Sequence, residues 1–500
     1  MSDEGPLLVA VDVGTTGARA AAIDLSGRVV AEVRRPYRTR APRPGWAEQD
    51  ARDWSDNAVS ALAGLAGRLG SRDRVAAIGL TGQCPTVAPV GADIRPVGPG
   101  MLYRDNRAVA EAEEMRTRIG VEAMHARTGH VAQAFHVGPK VLWLRRHQPD
   151  VFRQTQLFLQ PRDVVLHRLT GRLATDESHA DATMFFDLRE RRWAEDLFGL
   201  FDVDPACFPE ALAPWETAGE LSSTTAADVG LRAGLPVVVG AADSQCVAFG
   251  AGVVDPGPAS EMAGSSSCLN SAVAEPLADV RITHYSHVVP GRYTTELGIN
   301  TSGAAIDWAV RRLGYPGHGA LAADAERLVR RLRRSRGDPR DAAPLFLPYL
   351  GDGERDDPTL RGAFVGLSLR HDRPALAYAV LEGLAFGVHG ALAELEHAGS
   401  PVRELRVSGG GSRLAVLSQI KADVLQSPVV ALRGDAAAIG TALLSARAAG
   451  LDGAAGAAVG SVLASAARFE PGGGAKLASR LRWYQETRES GAVRQGWATP

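Results

Sequence analysis

The stretch Leu8-Val9-Ala10-Val11-Asp12-Val13-Gly14-Thr15-Thr16-Gly17-Ala18-Arg19-Ala20 decides how the rest of the chain is read. An apolar run ends in one acid, a Gly-Thr-Thr-Gly turn follows, and a second apolar run begins. The pattern predicts a strand, a tight loop and a returning strand. The loop offers backbone N–H groups and two hydroxyls, which suit a phosphate. Asp12, at the end of the first strand, is placed to hold a magnesium ion or its water shell. An ordinary hairpin with a polar turn would look the same in isolation, so the neighbouring sequence has to decide.

Working outward, Ala20 to Leu25 and Val29 to Val33 read as two further strands of a meander, with a turn at Ser26-Gly27. Asp53 to Leu69 carries helical spacing through Trp54, Ala58, Leu62, Leu65 and Leu69. Arg74 to Leu80 is an apolar strand running into Thr81-Gly82-Gln83-Cys84-Pro85-Thr86. Three meandering strands, a helix and another strand make an α/β pattern with helices packed on a sheet. Val109 to Gly129 reads as mostly helical, and Pro139 to Leu144 begins another helix. Thr175 to Asp187 mixes Asp, Ser, His and Thr and reads as a surface segment facing a cleft. Leu235 to Gly240 is a short buried strand ending in Ala241-Ala242-Asp243-Ser244-Gln245.

The pattern then restarts. Ala259 to Val273 is again strand, small polar turn and strand, similar in form to the opening hairpin. This is a weak internal duplication, with a boundary in the breaker-rich stretch Gly250 to Pro258. Arg327 to Arg340 is crowded with arginines and reads as a solvated helix face and its loop. Pro374 to Leu392 is a long apolar helix. Gly383, Gly387 and Gly390 lie along one flank of it, which predicts close approach of another backbone. Arg406 to Ser412 is strand, glycine turn and helix cap, and Leu414, Leu417, Ile420 and Val424 stripe the helix that follows. Ala436 to Ala449 is a small-residue helix, and the tail after Gly450 is helix, Gly-rich turn, helix.

A chain of 500 residues predicts two or three domains. A net charge of −2 argues against nucleic-acid binding by phosphate neutralisation. Cys84, Cys207, Cys246 and Cys268 make no C-x-x-C pair, so neither a zinc site nor a disulfide framework is indicated, and a reducing cytoplasm fits. The N-terminus has no signal-peptide pattern. No uncharged apolar run is long enough to span a bilayer, so no membrane partner is expected.

Three loops share one form, a strand end followed by small residues: Gly14 to Gly17, Gly264 to Ser267 and Gly409 to Ser412. None is a P-loop or a Rossmann fingerprint. Asp12 and Asp243 follow strands in a manner that phosphoryl transfer can use. That reaction needs positioning, stabilisation of phosphoryl oxygens and one base for the attacking hydroxyl. Asp12 suits the metal role and Asp243 the base.

From Leu7 to Gly450 the chain resembles the FGGY family of carbohydrate kinases, and within it most nearly the xylulokinase group. The resemblance rests on Asp12-x-Gly14-Thr15-Thr16-Gly17-x-Arg19 and on Gly45-Trp46-Ala47-Glu48-Gln49-Asp50 followed by Asp53-Trp54. It rests also on Ile78 to Gln83, Gly240 to Ser244, Gly264-Ser265-Ser266, and Pro348 to Arg355 with Asp357-Pro358 and Arg361-Gly362. Ser408 to Ser412, with Gln419 and Ala422 to Leu425, completes it. The order and spacing of these motifs are more specific than any one of them.

The resemblance implies an α/β fold of two actin-like (ribonuclease H-like) domains with an interdomain cleft. Residues 1–251 would form the N-terminal, sugar-binding domain and 252–450 the nucleotide-binding domain, with 451–500 a helical tail packed on the second. It implies ATP and Mg2+, with Asp243 deprotonating a sugar hydroxyl that attacks the γ-phosphate. Gly14, Thr15, Thr16, Arg19, Gly264, Ser265, Ser266, Gly303, Gly409, Gly410, Gly411 and Ser412 would bind the nucleotide. Gln83, Cys84, Pro85, Asp105, Asp243 and Ser244 would bind sugar, and Asp12 the metal. The family expectation is a cytoplasmic enzyme and a homodimer. Where xylulokinases usually follow Gly-Gln with Met-His, this chain has Cys84-Pro85; Arg-Glu, found there in glycerol kinases, is also missing. The family's Trp-x-Asp is Tyr103-Arg104-Asp105. The phosphate chemistry is thus kept while the sugar pocket differs. The expected substrate is a ketopentose such as xylulose, with another ketose or a polyol as the alternative. A non-catalytic sugar-binding regulator and an actin-like ATPase are the readings from other classes.

Overall fold

The computed structural model describes residues 5–334, 341–351, 353–354, 357, 359–472, 474–490 and 494. Met1 to Glu4, Arg355, Pro358 and the 335–340 part of the arginine-rich stretch lie outside the described residues. Internal contacts divide the chain into two units. One comprises Met1–Val254, Val273–Thr295 and Ala436–Ala464, and the other Asp255–Ala272, Glu296–Asp435 and Ser465–Pro500. The chain therefore crosses between units more often than one boundary near residue 251 would require. The helix Ala436–Ala446 and the start of the tail belong with the first unit.

The first unit is built on β1 (Leu7–Val13), β2 (Gly17–Asp24), β3 (Val29–Pro36), α1 (Ala51–Ala66) and β4 (Val75–Gly82). Further along come α2 (Val137–His147), α3 (Pro161–Thr170), β5 (Ala174–Asp176), α4 (Glu177–Asp181), β6 (Thr217–Glu220), β7 (Pro236–Ala242) and α5 (Asp243–Gly250). Its 6-stranded sheet runs β6-β7-β4-β1-β2-β3. The opening stretch is the predicted hairpin, with Asp12 opposite Arg19. Strand β1 is apolar from Leu7 to Val11 because both of its faces are covered, and Asp12 comes only at its carboxyl end. Leu7, Val9, Val11 and Val13 join Trp54, Ala58, Leu62 and Leu65 of α1 in one core. Leu8 and Ala10 face the other way, onto Ala438, Ala442 and Ala446 of the helix Ala436–Ala446. That helix lies so close to the sheet that a Cβ on Gly79 would fall 2.3 Å from the Thr441 carbonyl oxygen.

The second unit repeats the plan with β8 (Pro258–Ala263), β9 (Ser267–Val273), α6 (Gly303–Arg312), α7 (Arg373–His397), β10 (Glu404–Gly409), α8 (Ala415–Leu425), β11 (Val429–Ala431), β12 (Ala467–Phe469) and α9 (Gly474–Glu489). The strands β9-β8-β10-β11-β12 are consecutive neighbours in its sheet. Here β8 is antiparallel to β9 and parallel to β10, β10 is parallel to β11, and β11 is antiparallel to β12. In the first unit β1 is antiparallel to β2 and parallel to β4, β4 is parallel to β7, and β7 is antiparallel to β6. The two sheets share one sequence of strand directions, so the weak duplication in sequence is a duplication of topology.

Helix α7 is long and apolar enough to cross a membrane by composition, yet it is a mostly buried core helix. Its Glu382 accepts hydrogen bonds from the Arg480 guanidinium of α9, with both groups buried. Of its glycines, only Gly383 meets another backbone closely, its position lying 2.3 Å from the Phe346 carbonyl oxygen for a built Cβ. Among the described residues, nothing lies within 4 Å of a Cβ built on Gly390 and one on Gly387 meets only the Ile299 side chain, so the expected glycine flank reduces to one close backbone contact.

Candidate active site

Strands β1, β4 and β7 are parallel neighbours, and their registers align Asp12 with Thr81, and Thr81 with Ala241. The three loops that the sequence singles out in this half therefore leave adjacent strands at their carboxyl ends, where open α/β sheets bind ligands. They are Gly14 to Gly17 after β1, Gln83 to Thr86 after β4, and Asp243-Ser244 after β7. With about 4.8 Å between neighbouring strands, the ends of β1 and β7 are on the order of 10 Å apart.

The first loop is held by its carbonyls. The Gly14 N–H donates to the Gly17 carbonyl at 3.2 Å and closes the turn. Gln49 Nε2 donates to the Thr15 carbonyl at 2.7 Å, and Gln83 Nε2 to the Gly14 carbonyl at 3.4 Å. Gln49 Oε1 in turn accepts from Trp54 Nε1 at 2.8 Å and from Gln83 Nε2 at 3.0 Å. The Tyr37 hydroxyl also donates to the Gly14 carbonyl. Burial, then the carboxylates of Asp12 and Asp53, push that hydroxyl well above its usual pKa, so it remains a donor. In this loop Thr15 is half-buried and Thr16 exposed. Gln49 appears in the sequence only as part of a signature, and Tyr37 carries no sequence signal. Arg19, expected at the nucleotide, is buried on β2 and pairs with Glu32 of β3 at 2.5 Å.

The second loop is fixed from behind. The Gln83 N–H donates to the Val13 carbonyl at 3.0 Å, which extends the sheet by one residue. Thr86 Oγ1 donates to Gln83 Oε1 at 3.3 Å. Fully buried Lys140 of α2 donates to the carbonyls of Pro85 at 3.3 Å, Met101 at 3.3 Å and Leu102 at 2.7 Å. Burial pulls its pKa down to about 7, against the opposing pull of Asp105. A lone lysine inside the apolar run Pro139 to Leu144 was the available signal. Asp105, expected at the sugar, has both oxygens engaged by protein. Oδ2 accepts from the Ala47 N–H at 2.7 Å and from Arg107 Nη2 at 2.6 Å, and Oδ1 from the Arg107 N–H and Nε. The Arg107 guanidinium lies 3.6 Å from the Trp46 ring centroid and reaches Glu48 Oε1 at 2.7 Å. Asp105 thus pins the Trp46-to-Gln49 segment that supports the first loop.

Asp243 opens α5, where the helix dipole favours its anion, and its Oδ1 accepts from the Ser244 N–H at 2.8 Å. Beneath it lies a polar network that overturns one expectation. Thr175 to Asp187 is buried throughout and is no surface segment. Most of its polar groups are paired, within the segment or with neighbours such as Ser286 and Arg191. Asp176 accepts from Ser178 Oγ and from His179 Nδ1, each at 2.5 Å, and lies 3.2 Å from Arg162. Burial alone would raise the Asp176 carboxyl; His179 and Arg162 outweigh it and hold the pKa below the usual value. Ser178 Oγ accepts the Ala242 N–H at 2.9 Å, and Arg162 Nη1 donates to the Val239 carbonyl at 2.7 Å. The strand that delivers Asp243 is anchored from below at both points.

In the second unit, Ala263 of β8 is paired with Gly409 of β10, so the loops that follow them start side by side. Gly409 has φ +91°, and a Cβ there would lie 2.8 Å from the Ala263 carbonyl oxygen, so only glycine fits without strain. Gly410 to Arg413 form a 3₁₀ turn, and Ser412 Oγ donates to the Gly409 carbonyl at 2.9 Å. The Gly303 N–H donates to the Gly264 carbonyl at 2.9 Å, and the Ser302 and Ala304 N–H groups to the Ser265 carbonyl at 2.9 and 3.1 Å. Gly264, Ser265, Gly303 and Gly409 to Ser412 are therefore clustered within this unit. Gln419 and Asp423 of the same motif hold the tail instead: Gln419 Nε2 donates to the Glu470 carbonyl, and Asp423 Oδ1 accepts the Gly472 N–H at 2.7 Å.

Comparison with known proteins bears on this arrangement. Residues 7–250 match the model of the FGGY family of carbohydrate kinases, N-terminal domain, and residues 259–449 that of its C-terminal domain. The chain is 30% identical over 428 residues to the xylulose kinase of Escherichia coli (strain K12), covering 84% of each protein. It is 29% identical to the glycerol kinase of Bordetella parapertussis, covering 99% of this chain and 98% of that one. The crystal structure of xylulose kinase from Rhodospirillum rubrum superposes with a TM-score of 0.85 at 31% identity, covering 97% of this chain and 98% of that chain. The paired loop-bearing sheets and the two matched domains agree: the chain belongs to the FGGY family of carbohydrate kinases, enzymes that phosphorylate sugars with ATP.

Proposed function

We propose that this kinase phosphorylates a small ketose, with xylulose the first candidate, using Asp243 as general base. The observation that carries the reading is the shared register of β1, β4 and β7, which sets Asp12, Gln83 and Asp243 at neighbouring strand ends. Asp243 takes the proton of one sugar hydroxyl as that oxygen attacks the γ-phosphorus. A new sugar O–P bond forms, the bond from the γ-phosphorus to the bridging oxygen breaks, and ADP carries away the electron pair. Thr15 and Thr16 meet the phosphoryl oxygens. Gly264, Ser265, Ser266, Gly303 and Gly409 to Ser412 take the nucleotide.

Magnesium fits the residues present. Among the described residues no group of three or more His, Cys, Asp or Glu could enclose a metal ion. Magnesium with nucleotides is commonly held by one or two carboxylates plus phosphate oxygens. Asp12 is such a carboxylate: it closes β1 beside the Gly14 turn, where a Cβ built on Gly14 would lie in ordinary contact, 3.8 Å from both of its oxygens. The ion would neutralise phosphate charge there.

The sugar end carries the specificity. Gln83 is committed to Gln49 and Gly14, which leaves Cys84 and Ser244 as the candidate contacts of this loop and of the base. Support for xylulose comes from the identity to xylulose kinases; the Cys84-Pro85 dipeptide separates this chain from that group's pattern. Release of ADP should be followed across pentuloses, hexuloses and polyols. The reading expects the highest kcat/KM with xylulose. Turnover confined to glycerol or another polyol would contradict the ketose assignment, and ADP release that no sugar stimulates would contradict the kinase reading. Cytoplasmic location and a homodimer are the further expectations of this proposal.

A further inference from the structure

We propose that Glu261 and Lys421 form a buried charge pair that registers the nucleotide-binding segments of the second unit, so that both are positioning residues for ATP. The inference rests on the assignment of Gly264 to Ser266, Gly303 and Gly409 to Ser412 to nucleotide. Glu261 is 0% and Lys421 2% exposed. Lys421 Nζ donates to Glu261 Oε1 at 2.7 Å and to Oε2 at 2.5 Å. Ser267 Oγ donates to the same Oε1 at 2.9 Å, and Ser302 Oγ lies 2.9 Å from Ser267 Oγ. With its proton given to the carboxylate, Ser267 Oγ is left to accept from Ser302.

Each member of this chain of contacts stands next to a different nucleotide segment. Glu261 is on β8, which ends in Gly264, and Ser267 begins the strand after Ser266. Ser302 directly precedes Gly303 at the start of α6. Lys421 lies on α8, the helix that follows Gly409 to Ser412, among the buried side chains Leu417, Ile420 and Val424. Two apolar side chains could fill this volume, and such replacements are often neutral or stabilising. They would have no directional preference. The charge pair and its serine relay fix one relative placement of the hairpin, α6 and α8, which is the registering use of a buried ion pair.

The test is a steady-state kinetic comparison with ATP and sugar varied separately, alongside thermal melting. Glu261→Leu combined with Lys421→Met removes both charges and leaves no charge unpaired, while Ser267 Oγ loses its carboxylate acceptor and keeps Ser302 Oγ. It should melt within a few degrees of wild type, raise KM for ATP about tenfold and leave KM for sugar within about twofold. Ser267→Ala keeps the ion pair and breaks only the relay, so it reports even if the double variant does not fold; its KM for ATP should rise about threefold. Gly303→Ala checks the underlying assignment, because its added Cβ would lie 2.5 Å from the Gly264 carbonyl oxygen. An unchanged KM for ATP in Gly303→Ala would overturn the nucleotide assignment of these loops. A raised KM in Gly303→Ala with wild-type KM for ATP in the double variant or in Ser267→Ala would overturn the registering role alone.

Discussion

Gln49 joins the Gly14-to-Gly17 loop to the Gln83-to-Thr86 loop through one amide. It donates to the Thr15 carbonyl and accepts from both Trp54 and Gln83. Gln49→Leu keeps the volume and leaves Trp54 Nε1 and Gln83 Nε2 without that acceptor. The expected loss is about 1–3 kcal/mol of stability, measured by denaturant unfolding, together with a fall in kcat. Asp105 separates two roles in the same way. As a pin for Arg107 and Ala47, its replacement in Asp105→Asn should cost about 3–5 kcal/mol of stability and shift KM for sugar little. A large KM shift at unchanged stability would return it to the sugar. Lys140 supplies a pH dependence. Its folded pKa is about 7 against 10.5 for an exposed lysine, so the unfolded chain binds the extra proton between those values. Its burial penalty is fully present below pH 7 and is relieved as pH rises toward 10.5. Wild type should therefore gain stability relative to Lys140→Met over that window, read as the difference in Tm. These positions were only partly legible: Asp12 and Asp243 announce themselves at strand ends, whereas nothing in the sequence shows that Asp105 is paired with Arg107 and Arg19 with Glu32.

At the scale of elements, the apolar runs predicted most strands to within a few residues, because a strand buried on both faces leaves little choice of residue. Thr175 to Asp187 was misread for a physical reason: a polar segment is taken for surface unless its partners are known, and Arg162 and Ala242 are distant in sequence. The internal duplication was visible only as a recurring strand-turn-strand form, yet it fixes the same order of strand directions in both sheets. The crossing of α5 with the helix Ala436–Ala446 was invisible in sequence. A Cβ on Gly440 would lie 2.0 Å from the Cys246 carbonyl oxygen, and one on Gly250 2.0 Å from that of Ala436. Gly440→Leu should therefore separate two helix backbones and destabilise by more than about 2 kcal/mol, measured by thermal melting. A wild-type Tm would contradict the tight crossing.

For the whole molecule, the two units are interleaved along the chain: 273–295 and 436–464 return to the first. Linear motif order could not show this, since it records sequence position and not packing. The family assignment explains why both units carry loops of one form at the carboxyl ends of parallel strands. The direct measurement is ADP release with and without xylulose, by wild type and by folded Asp243→Ala. With Asp243 as the base of sugar-dependent phosphoryl transfer, sugar should strongly stimulate wild type and kcat should fall about 10³-fold in Asp243→Ala; near-normal sugar-dependent ADP release by Asp243→Ala would rule that base out.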